Sequence, residues 1–487
     1  MENLKSKGLN ALIWDFFGKI AKFGTTFIVT IVLARLLEPS DFGLIAMIMV
    51  IVMIAMIFTD VGLGSSLIQR RKVLQIHYDS VFYFNIFVGV ILTLITFVSA
   101  EPISIFYHNE RLISLTQAIS FLFVINAFSS VQTNKLRKEL NYAALAKANV
   151  MAAVLSGIAG ISLALYGAGV WSLVAQVLAR SVFYNIFVWY ASKWIPSLMF
   201  SFKALKQLWG FGFRMFLSGL LNTVYSQLDV LIIGKLFTPG ILGFFDQAKK
   251  LDALIIRFSS QSIMSVMFPI LSKIQNDLPR FQNIAIKTLG IISLIVFFLS
   301  GILYLISEEL IILLFTEKWL PSVEYFKILV LSSFGYPVSA LLVNILSSRG
   351  NSKAFLRLEI YKKILQSINF TTVFLWGIIG YLYGLLVLTI LGVFLNILFA
   401  SREIKLSFSA FAKPLFLQAF ITIIAVGIVI IIVDRLVFPG IVMILIKTIL
   451  FSIFYFLINK FLGTSSLEYV IQQFKQIIKR KKQVDKL

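Results

Sequence analysis

The sequence predicts an all-α polytopic membrane protein of about fourteen transmembrane helices, arranged as two parallel six-helix lobes followed by a C-terminal helix pair. Three observations predict this class. The chain of 487 residues is 59% hydrophobic and 14% charged, with a mean hydropathy of +0.93, whereas a soluble protein carries about a quarter charged residues. Apolar runs of about twenty residues recur from one end to the other, each able to cross a hydrocarbon core of about 30 Å. One loop also occurs twice, two hundred residues apart, as Arg35-Leu-Leu-Glu-Pro39-Ser-Asp-Phe-Gly43 and Lys235-Leu-Phe-Thr-Pro239-Gly-Ile-Leu-Gly243. Cation, Leu, Pro and Gly fall at the same offsets between matching apolar runs, as duplication of a helical half requires.

The spans read, in order, as 11–34, 42–67, 80–100, 113–131, 148–166, 170–191, 208–236, 244–270, 287–306, 325–347, 362–379, 381–400, 414–433 and 441–461. Basic residues set the orientation. With the N-terminus cytoplasmic, the inside connections hold Arg70, Arg71 and Lys72; Lys135, Arg137, Lys138 and Lys147; Lys193, Lys203 and Lys206; Lys273 and Arg280; Arg349, Lys353 and Arg357; and Arg402, Lys405 and Lys413. The outside connections hold few basic residues, Arg35, Arg111, Lys318 and Arg435, along with Glu38, Glu101, Glu110, Glu308, Glu309 and Glu317. Both termini are therefore expected inside. Gly-marked turns at Gly167–Gly169 and Gly377–Gly380 fall at corresponding places, between spans five and six and between spans eleven and twelve. The expected divisions are 1–200 and 201–405 for the two lobes, 406–462 for two additional transmembrane helices, and 463–487 for a basic amphipathic cytoplasmic tail on the inner leaflet. Parallel repeats of this kind place a cleft between two bundles.

The chain has no cysteine and two histidines, His77 and His108. That excludes Cys-based redox or zinc chemistry and argues against a His-ligated metal centre; no metal and no cofactor is expected. The net charge of +22 is read as basic loops held against anionic membrane lipid rather than as a nucleic-acid surface. The first apolar run contains Asp15, Lys19 and Lys22 and is followed by no small-residue cleavage site, so it reads as a retained helix.

Charges inside spans are the informative residues, since each costs about 2.5–3.5 kcal/mol at the centre of an isolated helix. On span one, Asp15, Lys19, Lys22, Thr26 and Thr30 fall within about 80° of one another at 100° per residue. Arg214, Ser218, Asn222, Tyr225, Ser226 and Asp229 make a similar stripe on span seven. Span eight adds Asp246, Lys249, Lys250, Arg257 and Gln261. Lys22 and Arg257 lie about ten or more residues from either end of their spans, hence near mid-membrane. Lining a central cavity, they suit an anionic ligand such as phosphate or pyrophosphate, with Lys19, Arg214, Lys249 and Lys250 in support. Asn222, Thr26, Tyr225 and Gln261 are the supporting polar groups. Arg180, on span six, reads either as an extension of this basic surface or as locally paired. Asp60, just before Gly62-Leu-Gly64, reads as a helix-end feature rather than a coupling acid.

Four segments carry a family resemblance: Ala34–Gly43, Asp60-Val-Gly-Leu-Gly-Ser-Ser-Leu-Ile-Gln69, Asp229-Val-Leu-Ile-Ile-Gly-Lys235 and Phe315-Thr-Glu-Lys-Trp-Leu-Pro321. In order and spacing they resemble the polysaccharide and O-antigen (lipopolysaccharide biosynthesis) flippases of the multidrug/oligosaccharidyl-lipid/polysaccharide exporter superfamily, over essentially the whole chain. The resemblance implies a V-shaped pair of lobes with alternating access in the bacterial cytoplasmic (inner) membrane. It implies a substrate of undecaprenyl-pyrophosphate-linked oligosaccharide, an O-antigen, capsule or exopolysaccharide repeat unit, moved to the outer leaflet. It also implies drive by an H+ or Na+ gradient, with Asp229 the first coupling acid to test, and a polysaccharide polymerase and export machinery as partners. The competing readings are a lipid II flippase, a multidrug/cation antiporter of the same superfamily, which would favour acids in the cavity, and a membrane glycosyltransferase or polymerase. An enzyme of the last kind would want carboxylates in a sizeable outer loop, and the segment around Ser307 to Glu324 is short.

Overall fold

In lipid a backbone must satisfy its own N–H and C=O groups, and this chain does so with helices alone among the described residues. The structure is a computed structural model that describes the backbone of residues 2–436 and 438–473, with side chains for all of these except 2–7, 9 and 254–266. The helices are α1 (Glu2–Leu36), α2 (Pro39–Asp60), α3 (Leu63–Gln69), α4 (Gln75–Val98), α5 (Ala100–Tyr107), α6 (Leu112–Ser120), α7 (Leu122–Lys138), α8 (Tyr142–Leu165) and α9 (Val170–Ser192). They continue as α10 (Phe202–Leu236), α11 (Pro239–Lys273), α12 (Leu278–Leu305), α13 (Ser307–Phe315), α14 (Pro321–Ser332), α15 (Gly335–Ser348), α16 (Ser352–Glu403), α17 (Phe408–Val433) and α18 (Gly440–Phe461).

Among the described residues, twelve helical stretches are long and apolar enough to cross a membrane, with α6–α7 and α14–α15 each making one of them. The protein is a multi-pass membrane protein. The sequence expectation of about fourteen counts α16 as two spans and includes α11, whose first half carries Asp246, Lys249, Lys250 and Asp252 and which is outside the twelve. α16 is a hairpin: Trp376 (φ −131°) and Gly377 (φ 66°) leave the helical region. Across that turn the Asn369 amide donates to the Tyr381 carbonyl at 3.2 Å, and the ring of Phe370 stacks on that of Tyr381 at 6.1 Å. Residues 369 and 381 would be about 18 Å apart in an unbroken helix.

Span two also differs from its expected course. The run 42–67 reads as one helix, yet the chain breaks between α2 and α3, where Val61 and Gly62 take left-handed conformations (φ 44° and 71°). The Asp60 carboxylate caps the restart, accepting the Gly64 N–H at 3.1 Å, so the apolar pattern continues through a backbone that does not.

The chain forms two compact units, Met1–Asp246 and Gln247–Leu487. In the first, α8 packs on α1 and α9, α7 packs on α4 and α9, and α10 packs along α2 and α3. Small residues allow close approach where lipid supplies no hydrophobic drive: Gly18 abuts Ala146, Gly157 abuts Val29, and Gly212 abuts Gly62. The twin loops meet within this unit. A Cβ built at Gly43 would fall on the Pro239 carbonyl, and one built at Gly243 would fall on the Pro39 carbonyl. Each glycine is therefore required by the other copy's proline.

In the second unit, α12 packs against α15, α17 and α18. Phe451 fills the space over Gly301, the Tyr455 hydroxyl donates to the Leu294 carbonyl at 2.8 Å, and the Lys447 ammonium reaches the Leu305 carbonyl at 3.0 Å and pairs with Glu309. The additional helix pair α17–α18 is thus part of this unit's core. Residues 465–473 are helical and place Leu467 and Val470 against the same cluster, while the rest of the tail, 474–487, lies outside the described residues.

Candidate functional site

Among the described residues, α1 packs mainly on α8. Gly18 and Val29 meet α8, and the polar stripe from Asp15 to Thr30 lies roughly 70° round the helix from them. Lys19 is held by Asp15, one turn earlier, at 2.5 Å, with side-chain exposures of 71% and 32%. Thr26 and Thr30 return their hydroxyls to the carbonyls of Lys22 and Thr26, at 2.8 and 2.9 Å, as threonines within a helix commonly do. Lys22 is exposed and Thr26 half-buried.

The structure adds one residue to this stripe. Arg180, half-buried on α9, donates from Nη1 to the Thr26 hydroxyl at 3.2 Å. Thr26 is ten residues from the end of α1 at Leu36, and Arg180 is ten from the start of α9 at Val170; both are about 15 Å along their helices. That hydrogen bond is the only one the guanidinium makes among the described residues, and no carboxylate pairs with it there. A guanidinium has five N–H donors in a planar fork. Thr26 orients the fork, and in the middle of the span most of its other donors meet no partner among the described residues. The signal in the sequence was an Arg inside an apolar run; its partner, 154 residues away, had no signal.

On α10 the polar stripe again lies off the packing face. Leu208, Gly212 and Gly219 face α2 and α3, and the centre of the stripe is roughly 90° round the helix from them, with Ser226 at its near edge. Arg214 and Asn222 are exposed, while Tyr225 and Asp229 are half-buried. The Asp229 carboxylate accepts the Val230 N–H at 2.8 Å. In the second unit, Lys249 is half-buried and Lys250 exposed on α11. The side chains of Arg257 and Gln261 lie outside the described residues. Among the described residues there is no cluster of His, Cys, Asp or Glu able to hold a metal ion.

A family model described as "Polysaccharide biosynthesis protein" matches residues 32–324, more than half of the chain. The chain belongs to that family. Family relatives include the teichuronic acid biosynthesis protein TuaB of Bacillus subtilis, 27% identical over 280 residues, covering 57% of this chain and 58% of that protein. The lipopolysaccharide biosynthesis protein WzxC of Escherichia coli is 23% identical over 351 residues, 70% of each chain. The succinoglycan biosynthesis transport protein ExoT of Rhizobium meliloti is 24% identical over 308 residues, 63% of this chain and 62% of that one. The match thus spans less than two thirds of two of these relatives' lengths. Among solved structures, the lipid II flippase MurJ in an inward closed conformation superposes with a TM-score of 0.70 at 14% identity, over 94% of this chain and all of that one. An inward-facing multidrug resistance MATE transporter superposes at 0.59, with 16% identity, over 80% of this chain and 99% of that one. These two likenesses concern the fold, which is the exporter fold the sequence predicted.

Proposed function

We propose that this chain is a flippase that moves undecaprenyl-pyrophosphate-linked oligosaccharide, an O-antigen, capsule or exopolysaccharide repeat unit, from the cytoplasmic to the outer leaflet of the bacterial inner membrane. The observation that carries the reading is Arg180: a mid-span guanidinium fixed by one hydroxyl, with no carboxylate partner among the described residues. An arginine left so in a membrane helix is a site for an anion. The names of the family relatives, in teichuronic acid, succinoglycan and lipopolysaccharide biosynthesis, support polysaccharide as the cargo.

In this reading the diphosphate takes charge-assisted hydrogen bonds from Arg180 and from Lys22, one turn from Thr26, with Lys19 and Arg214 contributing longer-range charge. Asn222 and Tyr225 offer hydrogen bonds to sugar hydroxyls, while the polyprenyl tail stays in lipid. Lys249, Lys250, Arg257 and Gln261 are proposed on sequence grounds alone. Alternating access, with both termini cytoplasmic, coupling to an H+ or Na+ gradient and cooperation with a polymerase and export machinery are parts of the same proposal. The fold shared with the lipid II flippase favours that substrate as the second reading.

Depletion of the protein, followed by leaflet-resolved analysis of undecaprenyl-linked intermediates, tests the proposal. Complete repeat units should accumulate on the cytoplasmic leaflet. Accumulation of unpolymerised units on the outer leaflet would point instead to a polymerase or ligase.

A further inference from the structure

Asp60 does more than end a helix. Its carboxylate accepts the Gly64 N–H with both oxygens at 3.1 Å, and its Oδ1 also accepts the Ser130 hydroxyl of α7 at 3.2 Å. The Asn85 amide of α4 lies 3.4 Å from the same oxygen. Three helices and the α2–α3 break thus converge on one carboxyl. No Lys, Arg or His forms an ion pair with it among the described residues. Arg137 on α7 is the charged group that acts on it. Lys138, next along α7, is occupied by the carbonyls of Leu67, Ile68 and Arg70 at the end of α3. The groups facing the break from α4 and α10, Asn85, Gly212 and Leu208, do not titrate.

Asn85 supplies the second observation. With its NH2 toward Asp60, the amide donates to Asp60 Oδ1 at 3.4 Å and to Ser130 Oγ at 3.1 Å, but its oxygen then faces the Val81 and Thr59 carbonyls. Turned end for end, the NH2 donates to Thr59 O at 3.1 Å and Val81 O at 3.3 Å, and the amide oxygen accepts the Ser130 hydroxyl at 3.1 Å. That orientation satisfies the amide completely and sets its oxygen against Asp60 Oδ1. Two acceptors held so close need a proton between them.

We propose that Asp60 is a proton-binding carboxyl and that the α2–α3 break is where its proton is taken up and released. In the ionised state the Asn85 NH2 and the Ser130 hydroxyl donate to the carboxylate. On proton uptake a new O–H bond forms on Asp60, that O–H donates to the Asn85 oxygen, and the amide turns so that its NH2 is received by the Thr59 and Val81 carbonyls. Gly64 keeps the geometry compact, because a Cβ there would strike Asn134 and the Asp60 carboxylate. That this proton is the ion exchanged during transport rests on the flippase reading; the titration itself does not.

The test is infrared difference spectroscopy of the full chain in lipid nanodiscs through a pH titration. A protonated-carboxyl band should appear on acidification, vanish in Asp60→Asn, and persist in Asp229→Asn. Asn85→Ala, which removes the amide partner of both the acid and the carboxylate, should move the midpoint by about half a pH unit or more. Persistence of the full band in Asp60→Asn overturns the proposal, as does a midpoint that stays put in Asn85→Ala. Loss of the band when Na+ replaces K+ at constant pH would also overturn it, by assigning the oxygens to a metal cation. Export assays on the same variants report separately on the flippase reading.

Discussion

In the first loop Gly43 lies against the carbonyl of Pro239, and in the second Gly243 lies against the carbonyl of Pro39. The polar stripes that continue from these loops are not exchangeable in this way. α1 carries Lys19 paired to Asp15, Lys22 exposed, and Thr26 reached by Arg180 from α9. At the matching offsets α10 carries Asn222 and Ser226, and the Ser226 hydroxyl is returned to the Thr223 carbonyl at 2.9 Å. The loops retain their duplicated form because each copy is the other's packing surface. No such mutual constraint is seen on the stripes, and there the charges fall at different offsets in the two copies, Lys22 standing where the other has Asn222. The difference separates residues kept for the frame from residues available to a ligand.

Four experiments press on that distinction, in order of expected effect. Gly43→Ala and Gly243→Ala should each lower stability by about 3 kcal/mol or more, because the added methyl meets backbone rather than a side chain that can move. Gly24→Ala is the control: nothing lies within 4 Å of its Cβ position, so it should be neutral or gain up to about 1 kcal/mol of helix propensity. Thermal unfolding in detergent reads both, and an unaffected Gly43→Ala would remove the frame from the argument. Next, Arg180→Ala should abolish export while membrane insertion and Tm are retained, and Arg180→Lys should restore only part of it, since an ammonium lacks the planar fork. Third, Lys22→Ala should reduce export more than Lys19→Ala, whose exposed i,i+4 pair with Asp15 contributes about 0.5 kcal/mol at most. Equal losses would mean that exposure, not position, governs the stripe.

The smallest effect concerns the bed of the twin loops. Tyr107, outside the spans, lies beside Gly234 and Met47, and burial pushes its phenol up from 10.0 to about 12. A raised folded value means that its contribution to stability is complete below pH 10 and lost as pH rises toward about 12. Tyr107→Phe should therefore lose less stability than the parent across that window.

Much of the architecture was legible in the sequence because its causes are local. Apolar runs must become helices in lipid, and Gly377 marks its turn through a positive φ that other residues resist. The α2–α3 break was not legible as a break. Val61 sits in the left-handed region, and the run 42–67 is apolar enough to read as a single span. Asp60 was read as a helix end, and it is one, but its contacts to Asn85 and Ser130 cross 25 and 70 residues. Hydrophobic periodicity carries no record of which helices become neighbours.

By itself, then, the sequence determined the solvent of this protein, its helical class, its duplication and the list of charges that lipid would not tolerate, because each of these follows from transfer energies and backbone chemistry acting within one segment. Only the tertiary structure decided which of those charges have partners. It gave Lys19 to Asp15, left Arg180 with Thr26 alone among the described residues, and gathered α4 and α7 around Asp60. A polar group's worth in a membrane depends on what stands opposite it, and that is set by the packing of distant helices.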